Sequence, residues 1–191
     1  STDSHESILA VGAHLKNTIG FSVYGQLMLS HHLGDLETPQ ALAGFHDVVA
    51  RLPGLYGFAP TTIAHDLHPD YASTQFAETL PGRHVGVQHP AAHVFACMAD
   101  NELTGEVLGV SWDGTGLGTD GTIWGGEFLR VRDGAFRRVA HLRTFPLAGG
   151  DPAARQPRRS ALGLLHGIEG DAGVGREKLA GGGGIARAGR G

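Results

Sequence analysis

Two histidines four residues apart open the chemical reading of this sequence, His89 and His93 in His89-Pro90-Ala91-Ala92-His93. Residues at i and i+4 project from one face of a helix, and Pro90 suits a first helical turn, so the pair can share one ion. The chain holds 12 histidines, which makes such spacing frequent by chance, and two hydrogen-bonded histidines without an ion are the competing reading. Asp113, expected at the carboxyl end of a buried strand, is the best third ligand, because ligands gather at strand ends of α/β sheets. Carboxylate with imidazole suits iron, zinc or manganese. The single cysteine, Cys97, excludes an internal disulfide and a thiolate zinc site, and it is expected to pack on an apolar helix face.

The stretch Asp113-Gly114-Thr115-Gly116-Leu117-Gly118-Thr119-Asp120-Gly121 offers a second chemistry. Four glycines in eight positions allow positive φ and turn backbone N–H groups toward an anion, with the Thr115 and Thr119 hydroxyls as further donors. A phosphate cradle is the first reading and a glycine-rich hairpin the second. The lysine of a Walker loop is absent, and no G-x-G-x-x-G opens a helix here. His65-Asp66-Leu67-His68-Pro69-Asp70-Tyr71 concentrates ionisable groups past a strand, where they could bind substrate or transfer protons, or form a solvated loop of Asx turns. Lys16, followed by Asn17 and Thr18, is either a phosphate-facing cation or an exposed turn lysine. Arg155 and Arg158 follow Gly149-Gly150-Asp151 and could reach an anionic ligand.

These residues need a frame. Apolar runs at 8–12, 19–25 and 27–29 predict three strands in a meander. Thr38-Pro39 starts a helix whose stripe is Leu42, Phe45, Val48, Val49 and Leu52, ended by Pro53-Gly54. A strand at 61–64, a short helix near 71–79, a strand at 85–87, a helix over 90–101 and a strand at 107–110 follow. Two strands near 122–132 and 135–143 flank Asp133-Gly134, a hairpin signal, and 152–167 predicts a helix with Leu162, Leu164 and Leu165 on its buried side. The order β-β-β-α-β-α-β-α-β-β-β suits a mixed sheet covered by helices, an α/β class. Residues 1–6 are expected to be a disordered start and 168–191, with nine glycines after Ile168, a disordered tail.

Composition narrows the function classes. With 41% apolar and 18% charged residues and no apolar run of about 18, the chain reads as globular and not membrane-spanning. A net charge of -4 disfavours general nucleic-acid binding. Asp3, His5 and Glu6 do not read as a signal peptide, so a cytoplasmic location is expected.

Taken in order, Gly12 to Thr18, His65 to Tyr71, Gln88 to His93, Asp113 to Glu127 and Gly149 to Asp151 resemble the carbamoyltransferase HypF family, in its large carboxyl-terminal transferase domain related to TsaD-type enzymes. The similarity covers about residues 7–167 and departs from the family's histidine-richer motif at Pro90 and Ala91. The resemblance implies an actin-like, ribonuclease H-like fold, of which the first of two lobes is expected here. It implies iron or zinc at His89, His93 and Asp113. It implies ATP or carbamoyl-adenylate phosphates at Gly114, Thr115, Gly116, Gly118, Thr119 and Asp120, with Gly149, Gly150 and Asp151, and catalytic or substrate roles for Lys16, His65, Asp66 and His68. In the family, carbamoyl phosphate and ATP give carbamoyl-adenylate, and the carbamoyl group passes to the carboxyl-terminal cysteine of HypE during hydrogenase maturation. A TsaD-like enzyme acting on tRNA and a truncated, non-catalytic metal-binding lobe are the alternatives. Residues 168–191 are expected to be a truncated or out-of-frame ending.

Overall fold

The computed structural model describes residues 6–150 and 156–169. Asp151, Arg155, the start before Glu6 and the expected tail beyond Glu169 lie outside the described residues. The first sheet holds β1 (Ile8–Ala10), β2 (Gly20–Val23), β3 (Gln26–Leu29), β4 (Thr62–Asp66) and β5 (Arg83–Val87), in the order β3-β2-β1-β4-β5. β1 to β3 form the expected antiparallel meander, whereas β1, β4 and β5 run parallel. The sheet is therefore mixed, as the element order predicts, and the carboxyl ends of its three parallel strands share one edge.

Helix α1 (Pro39–Tyr56) buries Phe45, Val49 and Leu52, with Leu42 and Val48 packed beside them. They join Leu9, Val11, Ile19, Phe21 and Ile63 in one core. Each buried side chain of this size contributes about 1.5–3 kcal/mol by leaving water. Thr38 caps α1 by accepting the Ala41 N–H at 3.2 Å. The helix does not stop at Pro53. It runs one turn further and ends at Gly57, whose φ of 62° is left-handed and whose N–H returns to the Pro53 carbonyl. Proline lacks only its own N–H, so near a helix end one missing bond is tolerated.

Helices α2 (Ala72–Ala77) and α3 (His89–Asp100) follow β4 and β5. The second sheet has the order β6-β7-β8, made of β6 (Val107–Leu117), β7 (Ile123–Arg132) and β8 (Ala135–His141). Asp133 and Gly134 turn β7 into β8 with φ values of 52° and 74°, the paired left-handed residues of the predicted hairpin. Ala91 and Val94 of α3 pack with Trp124, Leu129 and Val131 of β7. Cys97 is exposed and not packed as expected, because the apolar stripe of α3 passes through Pro90, Ala91, Val94 and Met98 and leaves it on another face.

A second compact unit starts at Ala140. Its helix α4 (Pro157–Glu169) runs two residues past the expected end. Leu164 and Leu165 are 45% and 39% exposed, contrary to expectation. The close face instead carries Gly163 and Gly167, where a Cβ would meet Pro146 and Phe145, so small residues and not leucines set the approach. No helix among the described residues is long and apolar enough to cross a membrane.

Candidate metal centre at the ends of the parallel strands

β5 ends at Val87 and hands the chain directly to α3 through Gln88. Gln88 is buried, accepts the Ala91 N–H on its Oε1 at 2.8 Å, and donates from Nε2 to the Leu117 carbonyl at 3.2 Å. One side chain thus caps α3 and ties it to the end of β6, satisfying two backbone groups that burial would otherwise leave unpaired. The sequence gives no role to Gln88, since glutamine is not among the strong capping residues. His89 is the first residue of α3 and His93 lies one turn on, with ring centroids 4.9 Å apart.

Asp113 arrives from the second sheet. Trp112 pairs with Gly126 and Gly116 with Trp124, so residues 113–115 of β6 stand opposite Gly125 alone. Such a bulge re-aims the side chains it carries. The Asp113 Oδ2 lies 3.2 Å from His89 Nε2 and 3.9 Å from His93 Nε2, and the three potential ligand atoms all fall within 4.8 Å of one another. Ligand atoms around a tetrahedral ion at about 2.0–2.1 Å are separated by about 3.3 Å, so this spacing fits one ion. Among the described residues Asp113 Oδ2 is buried and has no hydrogen-bond partner, although it faces His89 Nε2. Leaving a buried acceptor unpaired costs about 1–3 kcal/mol, a cost that a cation would remove. The donor set fits iron or zinc on these grounds.

The glycine-rich run serves this geometry differently from the expected loop. Its first part continues β6 to Leu117, and the Gly118 N–H donates to the Thr122 carbonyl at 2.8 Å to close the hairpin. Among its four glycines, Gly121 has the positive φ, at 76°. Gly116 and Gly118 are there for close approach: a Cβ on Gly116 would stand 2.8 Å from Pro90 Cδ, and one on Gly118 would enter the Trp124 indole. Gly116 therefore lets β6 lie against the start of α3, which brings Asp113 to His89. Gly114 donates to Asp113 Oδ1 at 2.6 Å, and Thr119 is exposed. Thr115 lies on β6 within the bulge.

Asp120 organises the hairpin turn. Hydrogen bonds from the Thr122 hydroxyl and N–H and from the Trp124 indole, with the Arg138 charge nearby, hold its carboxyl down at about 2. A carboxylate whose folded pKa lies below its unfolded value stabilises above about pH 4 and loses that contribution as pH falls through the folded value. Asp120→Asn is accordingly expected to lower the melting temperature at neutral pH, with the difference from the parent shrinking between about pH 4 and pH 2. Melting curves at several pH values check this, and a difference that persists unchanged at pH 2 contradicts it.

The His65 to Tyr71 block comes to the same strand ends. Asp66 is the last residue of β4 and is 7% exposed. Its Oδ2 lies 2.6 Å from His89 Nδ1 and its Oδ1 accepts the His68 N–H at 2.8 Å. This hydrogen bond raises the His89 pKa above its ordinary value against the lowering effect of burial. His65 Nδ1 donates to the Asp66 carbonyl at 2.7 Å, which leaves Nε2 as an acceptor in the neutral ring. His68 Nδ1 accepts the Asp70 N–H at 3.2 Å, which puts the His68 proton on Nε2. His68 stacks on Tyr71 at 4.3 Å, and His14 lies on Tyr71 at 5.5 Å with its Nδ1 accepting the Ala72 N–H at 3.4 Å. Tyr71, the end of the expected block, thus joins the cluster, and with it His14, to which the sequence reading assigns no role of its own.

Lys16 lies in the loop after β1, two residues beyond His14. It is exposed, has a φ of 50°, and donates its N–H to Asp35 Oδ1 at 2.8 Å; among the described residues no ion pair links it to the cluster. Its neighbour Asn17 is buried and donates to the Val11 and Ala13 carbonyls at 2.8 and 2.6 Å, closing the loop after β1. Gly149 and Gly150 belong to the second unit, with φ values of 94° and 66°.

A mixed sheet of this order, with a two-histidine, one-aspartate cluster at the ends of its parallel strands, is that of an actin-like, ribonuclease H-like domain, present in part. The family model described as the HypF Kae1-like domain matches residues 3–100, and that described as the second subdomain of the carbamoyltransferase Kae1-like domain matches 109–181. The chain belongs to the carbamoyltransferase HypF family. The second match includes the β6–β8 sheet.

A carbamoyltransferase HypF of Synechocystis sp. is 46% identical over 169 residues, covering 88% of this chain and 22% of the relative. A carbamoyltransferase HypF homolog of Cupriavidus necator is 42% identical over 176 residues, covering 90% of this chain and 45% of the relative. A crystal structure of full-length HypF in a phosphate- and nucleotide-bound form superposes with a TM-score of 0.80 at 41% identity, over 84% of this chain and 21% of that one. The chain thus spans between about a fifth and a half of the length of these relatives.

Proposed function

We propose that this chain is the metal-bearing part of a cytoplasmic HypF-type carbamoyltransferase. In this reading carbamoyl phosphate and ATP give carbamoyl-adenylate, and the carbamoyl group passes to the carboxyl-terminal cysteine thiolate of HypE in hydrogenase maturation. The observation that carries it is the convergence of His89, His93 and Asp113 around a buried carboxylate oxygen that, among the described residues, accepts no hydrogen bond. The names of the relatives and the nucleotide-bound state of the solved HypF support the substrate class.

His89, His93 and Asp113 would hold iron or zinc, which when bound supplies Lewis acidity toward a carbonyl or phosphoryl oxygen. The chain's own groups supply the rest. The Nε2–H of His68, and that of His14 across Tyr71, are donors for a phosphate or carbamoyl oxygen. The acceptor Nε2 of His65 is suited to take a proton. The hairpin from Gly114 to Asp120 and, as a separate candidate, the Gly149-Gly150-Asp151 segment would take nucleotide phosphates, and Lys16 keeps the catalytic or substrate role that the resemblance implies. The experiment replaces the matching segment of the Synechocystis relative by this chain and measures HypE carbamoylation. Retained transfer that His89→Ala abolishes is the expected result. A folded chimera in which His89→Ala leaves transfer unchanged overturns the proposal.

A further inference from the structure

Asp66 is held from three sides. Its position on β4 is in register with Val87 of β5, two residues before His89. Its carbonyl accepts the Thr74 hydroxyl at 3.2 Å, and its Oδ1 is fixed by the His68 backbone N–H at 2.8 Å. Among the described residues, Oδ2 then has one partner, His89 Nδ1, at 2.6 Å, with the Asp66 side chain 6% exposed. An ionised carboxylate can only accept, so the Nδ1 of His89 must donate, and in a neutral ring the lone pair is then on Nε2. Nε2 is the atom that meets Asp113 and stands across from His93.

We propose that Asp66 is the positioning residue of the centre, setting the tautomer and ring orientation of His89 so that its Nε2 is a ligand. This rests on the reading of His89, His93 and Asp113 as a metal site. Carboxylates behind ligating histidines raise ligand basicity, and their loss costs roughly 10–100-fold in metal affinity.

The atoms at Asp66 make a sharper statement for Asp66→Asn. The amide has a single acceptor oxygen for two donors. The His68 N–H is part of the backbone and cannot change, whereas the imidazole can move its proton. The amide oxygen therefore keeps His68, its NH2 group turns to His89 Nδ1, and the His89 proton shifts to Nε2, where it blocks the metal. A near-isosteric change thus inverts the tautomer without emptying the space.

The test uses the 191-residue chain, metal-free, at a pH where His89 is neutral, and reads its ring nitrogens by two-bond 1H–15N correlation. The parent is expected to carry the His89 proton on Nδ1 and Asp66→Asn on Nε2, with zinc affinity by chelator competition falling roughly 10–100-fold. Asp66→Glu, which stays an acceptor, is expected to keep the Nδ1 proton. A parent with the proton on Nε2 overturns the proposal without any variant, as does Asp66→Asn with unchanged tautomer and affinity. If the tautomers behave as stated but the parent binds no zinc, the metal reading fails while the positioning role stands.

Discussion

At about pH 8 and without metal, Asp113→Asn is expected to melt at the same temperature as the parent chain or a few degrees higher, although it removes a residue at the centre of the site. The reason is the buried Oδ2, which no hydrogen bond satisfies among the described residues. Relief of such an atom is worth about 1–3 kcal/mol, and 1 kcal/mol moves the melting temperature of a domain this size by about 2–4 °C. The amide keeps the oxygen that accepts the Gly114 N–H, so the bulge is retained. With metal the order reverses. Structural zinc sites bind with about 10–16 kcal/mol over four ligands, so one ligand is worth roughly 3 kcal/mol, or about 100-fold in affinity. At a free zinc concentration 100 times its dissociation constant the parent gains about 2.7 kcal/mol and the variant about 0.4 kcal/mol. Thermal melts with and without zinc check both halves. An oxygen kept unpaired at a cost to the fold is the sign of a functional atom, and a variant that is less stable without metal contradicts this account.

The largest loss of stability is expected at Arg138. Its guanidinium donates to Glu127 twice, at 2.6 and 3.0 Å, and lies 4.2 Å over the Trp124 ring. Glu127 is 2% exposed and otherwise accepts the Gly125 N–H at 3.0 Å. Arg138→Met leaves a buried carboxylate without its countercharge, which costs about 3–5 kcal/mol. Replacing both partners by apolar residues is far milder, so Arg138→Met with Glu127→Leu is expected to recover most of the loss. Chemical denaturation of the two single variants and the double measures this. A loss under 1 kcal/mol for Arg138→Met would show that the pair is not isolated from water. Gly125, whose N–H Glu127 holds, stands opposite the bulge that carries Asp113, so this pair also supports the site.

Much of this was legible in the sequence, and the exceptions have physical causes. The α1 stripe of Leu42, Phe45, Val48, Val49 and Leu52 repeats at helical spacing, and its observed burial follows from that period. The meander and the Asp133-Gly134 turn are set by local residues and appeared where expected. The end of α1 was misplaced because a proline near a helix terminus reads locally like a stop. The course of β6 was harder. Alternating glycines carry no side-chain pattern, so a strand through Gly114 and Gly116 shows only when Trp124 and the start of α3 press against it. The convergence of His89, His93 and Asp113 was anticipated from strand ends and i, i+4 spacing. The hydrogen bond from His89 to Asp66 was not, since it spans 23 residues and depends on the register of two parallel strands. Gln88, too, shows its purpose only once Leu117 is placed beside it.

The central claim is that His89, His93 and Asp113 hold one ion. Titrating the metal-free chain with zinc, and separately with iron(II) under anaerobic conditions, against a chromophoric chelator tests it directly. The account predicts one ion per chain in the parent and loss of that binding, by roughly 100-fold or more, in both His89→Ala and His93→Ala. A parent that binds no ion, or two variants that bind as the parent does, contradicts it.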